Sequence, residues 1–143
     1  MASNLGLWWP VLKANLAATS GLDSLEDHPI GVEDWKASLV QPATRLCAGH
    51  LGLASGTTAE ARHTGGGHRE ELDCVLTVAL LQYQPTVADL AALRDALVAA
   101  AELDQTLGGY TDLVTYAGFE VSKQDGFGTV LTIKLTVTSY WEA

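Results

Sequence analysis

From residue 72 to residue 83 the chain is apolar on both sides of an alternating pattern. Leu72, Cys74, Leu76, Val78 and Leu80 fall on one side, and Val75, Ala79 and Leu81 on the other. Such a run predicts a central strand covered on both faces, or one whose outer face is buried by another subunit. After Gln84-Pro85-Thr86 the period changes from two to 3.6. Leu90, Leu93, Leu97 and Ala101, with Val98 beside them, form an apolar stripe, while Asp89, Arg94, Asp95 and Glu102 lie mainly toward solvent. The spacing predicts a helix over 87–107, about 32 Å long at 1.5 Å per residue. Thr86 is its expected N-cap, with Asp89 in a capping-box position, and Gly108-Gly109 its expected stop.

Two further β-type runs follow, 112–121 and 129–141. Gly118 marks an expected bulge in the first. In the second, Leu131, Ile133, Leu135 and Val137 face one way and Thr132, Lys134, Thr136 and Thr138 the other, as in a strand buried on one face. Residues 122–128, with Asp125-Gly126 as the turn signal, read as a hairpin loop. The expected architecture is α+β: a small mixed or antiparallel β-sheet, one long helix packed across it, and a short N-terminal helix.

That first helix is expected over 10–18, opening at Pro10, where a missing N–H costs nothing, with Leu12 and Leu16 on one face. Trp8 and Trp9 either pack against the body of the domain or anchor on a neighbouring subunit, where aromatics concentrate binding energy. Residues 22–30 are acidic and turn-like. Residues 32–40 fit a strand or a helix, since Trp35 and Leu39 suit both, and 44–50 reads as a short strand. Residues 52–69 carry little that can pack, which predicts a mobile loop. Its Arg62, His63, His68 and Arg69 make it basic in an otherwise acidic chain. It is either a solvated linker or a loop that orders against an acidic partner.

At 143 residues, 48% apolar and 17% charged, the chain suits one domain with a real core, spanning 1–143. A net charge of −9 with eight scattered basic residues argues against a DNA-backbone binder, yet suits a surface that DNA must slide past. Cys47 and Cys74 read as buried reduced thiols. The apolar run before Pro10 is a poor signal peptide, and no stretch approaches the ~20 apolar residues of a bilayer span. Neither a glycine-rich phosphate loop nor a nucleophile elbow is present, and the histidines and cysteines have no zinc-site spacing. Catalytic, cofactor and metal residues are therefore expected to be absent. Asp73, in an apolar strand, is read as partner-facing or edge-placed as readily as catalytic.

The order of elements from residue 72 onward resembles the tail-terminator (tail-completion) proteins of long-tailed bacteriophages and phage-like particles. The resemblance rests on the strand 75–83, the Leu90-Ala91-Ala92-Leu93-Arg94-Asp95-Ala96-Leu97 helix, Leu107-Gly108-Gly109, the strand 112–121 and Leu131-Thr132-Ile133-Lys134-Leu135-Thr136-Val137. It implies a virion protein of the tail's neck end, assembled in the host cytoplasm. Its partners would be itself, as a cyclic homohexamer, the tail tube protein and the head–tail connector, with DNA only passing through the lumen and no membrane. Contacts are expected at Trp8, Trp9, Arg62, His63, His68, Arg69, Lys123, Gln124, Asp125 and Phe127. Another phage neck or connector component, a small oligomeric α+β ligand-binding domain, and an enzyme using Asp73, His50 or Asp112 are the alternatives.

Overall fold

The computed structural model describes residues 5–27, 47–60, 68–80, 85–124 and 128–141. Among them are a mixed five-stranded sheet and two helices. In chain order these are α1 (Leu5–Ala17), β1 (Ser24–Glu26), β2 (Cys47–Glu60), β3 (His68–Leu80), α2 (Val87–Glu102), β4 (Thr111–Gln124) and β5 (Gly128–Trp141). The sheet order is β1-β2-β3-β5-β4. Only the β1–β2 pair is parallel.

The alternating patterns set the faces. Leu72, Cys74, Leu76 and Val78 of β3 stand beside Val137, Leu135, Ile133 and Leu131 of β5, and all eight are buried. Trp8, Leu12 and Leu16 of α1, with Leu97 and Ala101 of α2, belong to the same core cluster. The opposite face is graded. Ala48, Ala79 and Val130 are buried at one end of it, while Glu71, Asp73 and Lys134 are exposed at the other. The sequence pattern of β3 is thus met in two halves, apolar on both sides near Ala79 and one-sided near Asp73.

Several boundaries differ from expectation. Helix α1 starts at Leu5, not Pro10, and holds Pro10 inside it. Trp8, Leu12 and Leu16 share its buried side, so packing of Trp8 extends the helix upstream. The proline points outward and leaves only the carbonyl of exposed Gly6 without its i+4 donor. Helix α2 ends at Glu102 and spans 16 residues, shorter than the expected 87–107. The reason lies in Asp104. Its Oδ1 accepts from Thr106 N (3.1 Å) and Thr106 Oγ1 (2.9 Å), and its Oδ2 accepts from Gly108 N (2.8 Å). A short carboxylate that satisfies nearby backbone N–H groups favours a turn over continued helix. Leu107, Gly108 and Gly109 then turn the chain at positive φ.

The N-terminus of α2 matches its prediction. Asp89 N donates to Thr86 Oγ1 (3.2 Å) and Thr86 N to Asp89 Oδ2 (2.9 Å), a complete capping box. The largest departure is at 52–69. Gly52–Glu60 continue β2, and His68 and Arg69 open β3, in antiparallel register with shifts after Leu53 and Thr58. The expected loop is therefore strand at both ends. The small residues of 52–60 bring no core of their own, and backbone pairing to Arg69–Val75 of β3 holds them extended. Residues 61–67, the candidate strand or helix at 32–40, and the Asp125-Gly126 turn lie outside the described residues.

Candidate interaction surface

The ten expected contact residues do not form one patch. Arg62, His63, Asp125 and Phe127 lie outside the described residues. Trp8 is fully buried in the core, so it cannot anchor a neighbour; this corrects that expectation. Trp9 is half-buried and donates from Nε1 to Asp27 Oδ2 (2.7 Å), while Lys13 Nζ donates to Asp27 Oδ1 (2.9 Å). Those bonds pin α1 to the chain leaving β1. The Lys13 ammonium, and then the Trp9 indole, hold the Asp27 carboxyl below the usual carboxylate range.

His68 pairs in register with Trp141, and Arg69 Nε lies 3.4 Å from Asp112 Oδ2. Lys123 is exposed opposite Thr129, and Gln124 pairs with Gly128. β5 runs from beside Lys123 to beside Arg69, so these two groups sit at opposite ends of the sheet.

The alternative catalytic residues are also dispersed. Asp73 accepts from Ser55 Oγ (3.1 Å) and Thr136 Oγ1 (3.3 Å), all on the open face. A hollow of about 380 Å³ surrounds it, lined by Ser55, Asp73, Lys134 and Thr136 among others. Lys134 turns to Glu120 instead (3.2 Å). His50 stands opposite Thr77, roughly 13 Å along β3 from Asp73 at the rise of a strand. Asp112 is engaged by Arg69. The hollow therefore holds a carboxylate bonded to two hydroxyls, and neither His50 nor Asp112 lines it.

A second hollow, about 350 Å³, lies between the end of α1 and the first turns of α2, lined by Ser20, Cys47, Asp89 and Leu93 among others. The Asp89 carboxylate is committed to the cap. Burial, then the nearby Asp23 charge, pushes the Cys47 thiol up to about 11; burial, then Asp73, pushes Cys74 up to about 12. Thiols so raised are neither nucleophiles nor ready metal ligands at neutral pH. Both are unbridged, bearing out the reading as buried thiols. Among the described residues no three His, Cys, Asp or Glu side chains are placed to hold a metal ion, and no helix is long and apolar enough to cross a membrane.

What the sequence pattern did not single out is the pair of sheet edges. β1 covers β2 only from Ala48 to His50, so among the described residues the stretch 51–60 has no neighbour on that side. Among the described residues β4 has no strand beyond it. Gln105 Oε1 accepts from Val114 N (2.9 Å), which closes the start of that edge and leaves 115–124 unpaired outward. Apolar side chains remain half exposed on the helix-bearing face at both edges: Leu53 at 45%, Phe119 at 45% and Val121 at 44%. The alternation of Phe119 and Val121 predicted strand, whereas Leu53 fell within the expected loop. No protein-family model matches the chain, and no match was found among curated proteins.

Proposed function

We propose that this chain is a structural ring-forming protein, a tail terminator of a long-tailed phage or phage-like particle. It would cap the tail tube, stop tube polymerisation and join the tube to the head-side connector. The observation that carries the assembly part is the sheet with two unpaired, partly apolar edges among the described residues. Such edges invite strand pairing with another chain. A head-to-tail contact between unlike edges closes into a ring when the rotation between copies allows it. In this reading the helices lie across the sheet as the outer layer of an annulus. The phage assignment itself rests on the resemblance of the sequence pattern to tail terminators, and a net charge of −9 suits a lumen that DNA traverses without sticking.

The function requires no catalytic step, and the hydroxyl-bonded Asp73 and engaged Asp112 support that reading. Negative-stain electron microscopy of the purified protein, alone and with tail tubes, tests it. Rings of one diameter, seated on tube ends, are expected. Dispersed single particles that leave tubes elongating would refute it.

A further inference from the structure

The two edges left unpaired among the described residues match each other, and the geometry points to a specific joint: β2 of one copy pairs antiparallel with β4 of the next. This inference rests on the ring reading above and names its seam. Direction is the first argument. β2, β3, β5 and β4 alternate in direction across the sheet, so β2 and β4 run oppositely. Continuing the sheet from β4 of one copy to β2 of a rotated copy makes an antiparallel ladder, the more stable kind of pairing.

Extent is the second argument. The unpaired stretches 51–60 and 115–124 have equal length. Run antiparallel with Ala54 set aside, 51–60 lies against 115–123 and places Leu53 beside Val121 and Gly56 beside Phe119. The register shift after Leu53 absorbs the odd residue at Ala54 and keeps both pairs on the helix-bearing face. Phe119 already carries the Arg94 guanidinium 5.0 Å from its ring centre. Opposite Gly56 its remaining surface meets no competing side chain. On the open face the same register sets Ser55 against Glu120, and no like charges meet.

The apolar match is the third argument. Leu53, Phe119 and Val121 are among the large apolar side chains left exposed, and they occupy the two edges of one face. Pairing covers them together. Register shifts within the β2–β3 and β4–β5 pairs add twist near both seams, which favours a curved sheet over a flat ribbon.

Cysteine cross-linking of the full chain tests this. Leu53→Cys with Val121→Cys places two thiols at one seam, and Ser55→Cys with Glu120→Cys does so on the opposite face should the first pair disturb folding. Native Cys47 and Cys74 are buried and stay silent. Mild oxidation of either double variant should give a ladder of covalent oligomers on a non-reducing gel, ending at the ring size, while the single variants give none. A covalent dimer from Leu53→Cys or Val121→Cys alone would mean like edges pair, and the joint is wrong. Assembly by light scattering with no cross-link in either double variant would overturn the joint and leave the ring standing. A monomer at every concentration would remove both.

Discussion

The centre of the sheet and its edges are built by different rules. β3 and β5 pair without a register shift from His68–Trp141 to Leu80–Thr129, while both β2–β3 and β4–β5 carry shifts. The centre is fixed by alternating Leu, Val and Ile packed under Trp8, Leu12, Leu16 and Leu97. A one-residue slip there would send the whole apolar set to the wrong face. The edges lack that penalty on their outer side. They tolerate Gly, Ala and Thr, accept bulges, and keep Leu53, Phe119 and Val121 half exposed. Stability resides in the centre, and in the proposed ring association falls to the edges.

Substitutions in the two regions should separate those properties. Trp8→Ala empties a fully buried indole site and is expected to cost about 3–5 kcal/mol in urea unfolding. Leu76→Ala and Ile133→Ala should cost about 2–5 kcal/mol by the same measurement. A loss under 1 kcal/mol at these three sites would deny the centre its role. Thr86→Ala removes one half of the capping box that starts α2 and should cost about 1 kcal/mol, without changing how the chain assembles. Val121→Lys should do the reverse. It is expected to leave unfolding within about 0.5 kcal/mol of the parent, while a charge on the edge suppresses association in sedimentation runs.

The smallest effect concerns pH. The folded Asp27 carboxyl titrates below its unfolded value, so its contribution is full above the ordinary carboxylate pKa and fades as pH falls through and below it. The parent should therefore lose more stability than Asp27→Asn between about pH 5 and pH 3. Equal losses would mean that Trp9 and Lys13 do not hold Asp27.

Most of the fold was legible where residues alternate strongly or cap cleanly. The β5 pattern at Leu131, Ile133, Leu135 and Val137, the bulge at Gly118 and the Thr86–Asp89 cap all stand as their residue types imply. The misses share one cause, tertiary context overriding local signal. Pro10 reads as a helix start, yet burial of Trp8 carries the helix past it. Gly108-Gly109 reads as a helix stop, yet the Asp104 carboxylate ends α2 a turn earlier. Gly52–Glu60 reads as loop, because nothing in those small side chains announces the β3 strand that holds them. Of the expected contact residues, Trp8 went to the core and Arg69 to an ion pair with Asp112. The exposed Leu53, Phe119 and Val121 could not be chosen from sequence, since exposure there depends on how far the helices reach.

Native mass spectrometry of the purified protein across concentration shows whether copies of the chain close on themselves. A single closed species, six chains in number by the resemblance to tail terminators, is the expected result. It should fall to monomers with Val121→Lys and persist with Thr86→Ala. A parent protein that remains one chain at the highest concentration would contradict the account.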